Sequence, residues 1–258
     1  MYRHNRTGRR CVTLQRVAVI FCKYLTFLPR EDSYSIKIIF MGAALFASAP
    51  VYGEALSCKS EDLLFNVKRN GVQVGYHSVS LCRDGEKLSV NAKFKIKINL
   101  FALELYSVEY SSQSLWRKGK LVALYSRTNE NGTVSAVTAK RLIDGLHITG
   151  PNGTDKFRGE LIPTNHWNIA VTESSKVLNT ITGKVNSIRM RDLGLENVKA
   201  EGRTIEARRW AYTGDLDNEV WYDHDGRWVK MRFQGKDGST IEHVCQRCLI
   251  SGNKITNR

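Results

Sequence analysis

The chain lacks any apolar run long enough to cross a bilayer as a helix, which takes about 20 residues. It has four prolines in 258 residues and no Pro-rich or Ser-rich spacer, so nothing marks a linker between domains. No low-complexity tract and no fixed-period repeat is present, which excludes a solenoid. The chain has one CxxC, so the paired-CxxC type of zinc site is missing. No nucleophile elbow occurs, and no Ser, Asp and His set can be assembled from the sequence.

The longest apolar stretch runs from Lys37 through Ile38, Ile39, Phe40 and Met41 to Ala49, one basic residue followed by about a dozen apolar or small ones. That is the layout of a secretory signal at residues 37–53, with cleavage expected after Gly53 and Ala55 as second choice. The Ala55-Leu56-Ser57-Cys58 stretch departs from a lipoprotein box, because Leu56 is out of place and Glu54 interrupts the apolar lead. Residues 1–36 read as an N-terminal extension of doubtful origin, upstream of a start close to Lys37. Residues 54–258 then form a single β-rich domain, periplasmic or secreted.

Net charge is +14. Eight basic residues face two acidic ones up to Gly53, which leaves 31 against 23 after it. Such a balance favours anionic partners. Export makes nucleic acid the poorer choice and lipid head groups the better one.

After the signal, period-two alternation dominates. Phe65 and Val67 alternate with polar residues, Asn70-Gly71 supplies a type I′ turn, and Val72, Val74 and Tyr76 resume the pattern. The apolar phase shifts after Gly75, as at a bulge. Leu88, Val90, Ala92, Phe94, Ile96, Ile98 and Leu100 share one parity, which predicts a long strand with one buried face. Further strands are expected at 103–116, 120–129, 133–142, 146–150, 185–190, 203–212, 219–223, 227–233 and 239–245. From Pro163, Thr164 or Asn165 is expected to cap a helix with Trp167, Ala170, Val171, Val177 and Leu178 on one side, ending near Thr182-Gly183. The expected fold is mainly β, a curved antiparallel sheet or half-open barrel of about ten strands packed around that helix.

Four ordered motifs, Phe65-x-Val67-x-x-x-Gly71-x-x-x-Gly75, Thr128-x-x-Asn131-Gly132-Thr133, Pro163-x-x-x-Trp167 and Trp221-Tyr222-Asp223-x-x-Gly226-Arg227-Trp228-Val229, span Leu64 to Val244. Their order and spacing resemble an exported proteobacterial family known as domain of unknown function 6134. The resemblance implies export and a curved antiparallel sheet, and carries no catalytic residues. In shape it is also similar to periplasmic lipoprotein carriers, half-open barrels that hold acyl chains.

Candidate sites follow from residue types. Cys58, Cys82, Cys245 and Cys248 form an even set suited to disulfides in an oxidising compartment. Cys245 and Cys248 end a strand rather than opening a helix, so bridging outranks a thiol-redox role; a metal site with His243 is the weaker reading, and no metal or cofactor is expected. Asp223, His224 and Asp225 suit acid and base chemistry, yet acidic residues before Gly226 are also what a hairpin turn requires. His77, His147, His166 and His243 read as scattered. Trp167, Trp210, Trp221 and Tyr222 are the residues expected to line a cavity for a lipid or other apolar ligand. Lys93, Lys95 and Lys97, on the wet parity of the long strand, suit peripheral contact with an anionic membrane surface, although lysines there also blunt edge pairing. The leading expectation is a non-catalytic envelope protein that binds an apolar or amphipathic ligand or serves as an assembly partner. The alternative is a periplasmic hydrolase or thiol-redox enzyme.

Overall fold

The computed structural model describes residues 60–100 and 103–248. The expected signal at residues 37–53, its expected cleavage position, the expected extension at 1–36 and Cys58 lie outside the described residues. The strands are β1 (Ser60–Arg69), β2 (Val72–Asp84), β3 (Lys87–Leu100), β4 (Leu103–Arg117), β5 (Lys120–Glu130), β6 (Thr133–Leu142), β7 (Gly145–Gly150), β8 (Gly153–Phe157), β9 (Ile162–Pro163), β10 (Lys176–Leu178), β11 (Val185–Ala200), β12 (Arg203–Gly214), β13 (Asn218–Tyr222), β14 (Trp228–Gln234) and β15 (Thr240–Arg247).

Local chemistry forms these elements. Asn70 and Gly71 both have positive φ, 48° and 83°, as the type I′ turn between β1 and β2 requires. The register slips between Val67 and Lys68 opposite Gly75, which is the expected bulge. Gly75 has no substitute there, because a Cβ would lie 1.8 Å from the Lys95 carbonyl oxygen. On β3, Leu88, Val90, Ala92 and Ile96 are buried while Asn91, Lys93 and Lys97 are exposed, as the alternation predicts.

The fifteen strands form one sheet in the order β8-β7-β6-β5-β4-β3-β2-β1-β15-β14-β13-β12-β11-β10-β9. Two meanders are thus joined where the first strand pairs with the last, Phe65 opposite Cys245 and Val67 opposite His243. All pairs are antiparallel except β9 with β10. β8 and β9 stand at opposite edges, yet only residues 158–161 separate them in sequence. Five peptide steps reach at most about 18 Å. Laid flat, fourteen strand spacings would hold the edges about 67 Å apart. Chain connectivity therefore forces the sheet to curl until its edges approach, giving an open, curved, barrel-like sheet.

Two expectations are corrected. The described residues hold fifteen strands rather than about ten; β8, β9 and β10, the three that match none of the expected ranges, are two to five residues long and carry no usable alternation. The helix from Pro163 is absent. The described residues hold there a single 3-10 turn, Ile169–Glu173, with Asn168 as its cap accepting from the Ala170 N–H. Its apolar face fails after one turn, because Thr172, Glu173, Ser174, Ser175 and Lys176 separate Val171 from Val177. Val177 and Leu178 instead pair with Ile162 and Pro163. Asn165 serves the interior rather than a helix end: its Nδ2 donates to Ser112 Oγ (3.2 Å) and its Oδ1 meets the Tyr110 hydroxyl (3.0 Å).

The segment from Ile162 to Gly183 is thus a strap laid inside the curl. Ser126 Oγ donates to the Thr180 carbonyl (2.5 Å), Asn152 Nδ2 to the Thr182 carbonyl (2.9 Å), and Gly183 meets the Gly150 backbone closely. Trp167, Val171, Val177 and Leu178 join the main buried cluster with Phe65, Trp116, Tyr212 and Trp228. On the other side, the β11–β12 hairpin bends at a bulge between Asp192 and Leu195. Its far half reaches β14 and β15, which are not its sheet neighbours. There the Glu201 N–H donates to the Cys245 carbonyl (3.1 Å).

Candidate functional site

Inside the curl, alternation brings three histidines to one place. His77 shares its parity with the buried Val79 and Leu81, and His243 shares its own with Ile241 and Cys245. His166 enters from the strap in the left-handed region, φ 61°. All three rings gather around Trp228, with centroids 5.2, 5.8 and 5.8 Å from the indole for His77, His166 and His243. Phe65 stacks on the same indole at 4.0 Å, and Phe94 meets both His77 and His243.

The Nδ1 atoms of His77 and His243 are 3.3 Å apart. One must donate and the other accept, so the two neutral rings hold complementary tautomers. Neither Nε2 has a hydrogen-bond partner among the described residues. His166 Nδ1 lies 3.4 Å from the Tyr212 hydroxyl, and the Tyr222 O–H donates to the His166 carbonyl (2.9 Å). Burial strips solvent from all three imidazoles and disfavours their charged forms. His77 falls to about 3, helped by its neighbour His166, and His166 falls to about 4. His243 is held well below its ordinary value, by burial first and by His77 and His166 after it. Burial likewise raises the Tyr212 and Tyr222 hydroxyls. Burial thus favours the neutral form of all three rings near pH 7.

His77, His147, His166 and His243 are scattered along the sequence, and the structure brings three of the four together. The usable signal was parity, since His77 and His243 both sit on the inward positions of alternating strands. His147 stays apart, paired at the surface with Asp144 (2.6 Å).

The expected aromatic residues divide between two faces. Trp167 is buried edge-on against Trp116 at 5.3 Å, and Tyr222 is buried beside His166. Trp210 is half-buried against the same core. Trp221 alternates with Val220 and Tyr222 and so faces the other way. It is fully buried under charges: its Nε1 donates to Glu196 Oε1 (2.6 Å), and Arg209, Lys230 and Arg232 stand 5.4, 4.9 and 5.6 Å from its ring. Glu219 ties Arg209 to Arg232 across this lattice.

Asp223, His224 and Asp225 form the β13–β14 turn. Asp223 Oδ1 accepts from the backbone N–H groups of Asp225 (3.0 Å) and Arg227 (2.9 Å), while Oδ2 accepts from Arg227 Nε (2.8 Å) and Nη2 (2.7 Å). These four contacts fill the carboxylate's acceptor positions. His224 is 83% exposed in its side chain and lies 3.3 Å from Asp225. The Cys245 and Cys248 sulfurs are at bonding distance and buried, with Cys248 N–H donating to Glu201 Oε1 (2.7 Å). Cys82 is also set in a disulfide arrangement. Of the lysine stripe, Lys95 pairs with Glu109 and Lys97 with Glu104 (2.9 Å), so two of the three charges are neutralised by β4. Among the described residues, two groups bring three donors of metal-ligating type together, Glu201 with Cys245 and Cys248, and Asp223 with His224 and Asp225.

The sequence profile of the domain of unknown function DUF6134 matches residues 65–246, well over half of the chain. The chain belongs to the DUF6134 family. No curated protein matches it. A DUF6134 fold of this kind has a solved likeness in the crystal structure of a beta-barrel-like protein of the domain of unknown function DUF1849 from Brucella abortus. The TM-score is 0.55 at 10% identity, covering 76% of this chain and 98% of that one. At that identity the likeness is one of fold.

Proposed function

We propose that this DUF6134 protein is an exported, non-catalytic envelope protein that acts as a binding or assembly partner and not as an acyl-chain carrier. One observation carries the reading: its own strap occupies the concave side of the sheet. Trp167 and Val171 of the strap pack into the core on that side beside Val177 and Leu178 of the edge-region strand β10, and the strap's polar groups are matched by Tyr110, Ser112 and Ser126. Displacing it would expose those hydroxyls and amides without partners, at roughly 1–3 kcal/mol each.

Export is supported by the apolar run and small residues at 37–53 and by the paired, buried Cys245 and Cys248, which suit an oxidising compartment. We take that pair as a structural disulfide that ties the end of β15 to the β11–β12 hairpin through Glu201. The non-catalytic part draws support from Asp223, whose oxygens are committed to the turn. Mass spectrometry of organic extracts from natively purified protein tests the carrier question. The reading expects no stoichiometric lipid; about one lipid retained per chain would replace it with the carrier.

A further inference from the structure

The outer face of β2–β5 carries a groove of about 480 Å³ lined by Ser78, Ser80, Asn91, Lys93, Gln113 and Tyr125, among others. Strand register arranges this face in three rows. Ser80, Asn91, Gln113 and Tyr125 stand opposite one another across the four strands. Ser78, Lys93, Ser111 and Arg127 form the next row, and Tyr76, Lys95, Glu109 and Asn129 the third. Short serines make the floor and longer side chains the walls. A second, smaller depression continues the groove past Lys93 and Arg127 to Tyr76.

Several long side chains of the outer face satisfy each other, as in Arg208 with Asp192, Arg232 with Glu219, Lys230 with Glu242 and, at the groove's third row, Lys95 with Glu109. Among the described residues, the side chains of Ser78, Ser80, Asn91, Ser111 and Gln113 bond to no other protein group, and neither Lys93 nor Arg127 has a carboxylate at ion-pairing distance. Tyr76 and Tyr125, 45% and 46% exposed, stand at diagonally opposite corners. Three strand spacings one way and four residues the other put those corners about 19 Å apart.

We infer that this groove binds a carboxylate-bearing oligosaccharide of three or four rings. Sugar hydroxyls both donate and accept, which matches a floor of amides and hydroxyls. Sugar rings present C–H faces that sit on exposed tyrosines, whose rings are apolar while their hydroxyls stay wet. Lys93 and Arg127 in the middle row, facing a single carboxylate, Glu109, that Lys95 already pairs, select an acidic glycan over a neutral one. The inference rests on the reading of the chain as an envelope binding partner, and gives that partner a chemistry. The groove lies on the face opposite the strap, so its failure leaves the lipid result standing, and the converse holds.

Calorimetric titration of the purified chain with tetragalacturonate and with cellotetraose tests it. The expected result is a Kd below about 1 mM for the acidic glycan at low salt, weakened about tenfold by Tyr125→Ala and again by Lys93→Ala with Arg127→Ala. These side chains are exposed, so thermal unfolding of the variants stays at the wild-type midpoint and a folding defect is distinguishable. Equal binding of cellotetraose overturns the proposal, as does full binding by Tyr125→Ala or the absence of heat with tetragalacturonate.

Discussion

His77 and His243 come from strands 166 residues apart in sequence and face each other Nδ1 to Nδ1 at 3.3 Å, deep inside the curl and with both Nε2 atoms unpartnered among the described residues. Such a pair is tolerated only while both rings are neutral. A second proton on either ring would place an uncompensated charge among Phe65, Phe94 and Trp228.

Acid lability follows from this pair and from His166. Unfolded histidine titrates near 6.5, whereas His166 and His77 hold about 4 and about 3 in the folded protein. The unfolded chain therefore binds more protons over that interval, and stability rises with pH. It is complete above about 6.5 and is lost as pH falls toward 4, by about 1.4 kcal/mol per pH unit for each histidine. Urea unfolding midpoints measured from pH 7.5 to 4.5 check this. The double variant His77→Leu with His243→Leu flattens the slope; an unchanged slope would remove the pair from the account.

Gly75→Ala tests the register. Its Cβ would meet the Lys95 carbonyl at 1.8 Å, so β2 and β3 must separate or the bulge must move. A loss of about 2–4 kcal/mol is expected. It appears as a lower denaturant midpoint, while substitution at Gly71, where no atom lies within 4 Å, is felt through φ alone.

The turn at Asp223 separates a structural carboxylate from a surface imidazole. Asp223→Ala removes the bidentate partner of Arg227, which keeps Asp225 (2.8 Å), and strips two backbone donors of theirs. A cost of about 2–3 kcal/mol is expected, chiefly from those donors. His224→Ala, at an exposed position, should change stability by no more than about 0.5 kcal/mol. Chemical denaturation of both variants reads the contrast, and a large effect at His224 would give that residue a role beyond the turn.

Much of the sheet was legible because alternation and turn chemistry are local. Asn70-Gly71, Asn131-Gly132 and the thirteen-residue pattern on β3 announce their own hairpins. What escaped is set by distant partners. Trp167, Val171 and Leu178 carry apolar spacing compatible with a helix, although it is interrupted from Thr172 to Lys176, and the contacts of Asn165, Thr180 and Thr182 with distant strands make the segment a strap. Trp221 is aromatic in a strand, which says buried but not on which face. Its place under Arg209, Lys230 and Arg232 is set by strand register, with Trp221 opposite Arg209 on β12 and Lys230 on β14. The histidine cluster needed β1 to pair with β15, a closure that no stretch of sequence announces.

The central claim is that the strap from Ile162 to Gly183 is a permanent part of the interior. Protein purified without denaturant after expression of the full-length chain, then analysed by native mass spectrometry, tests this directly. The account predicts the mass of the bare chain, with no adduct that collisional activation removes. A stoichiometric lipid-sized adduct, lost on activation, would contradict it.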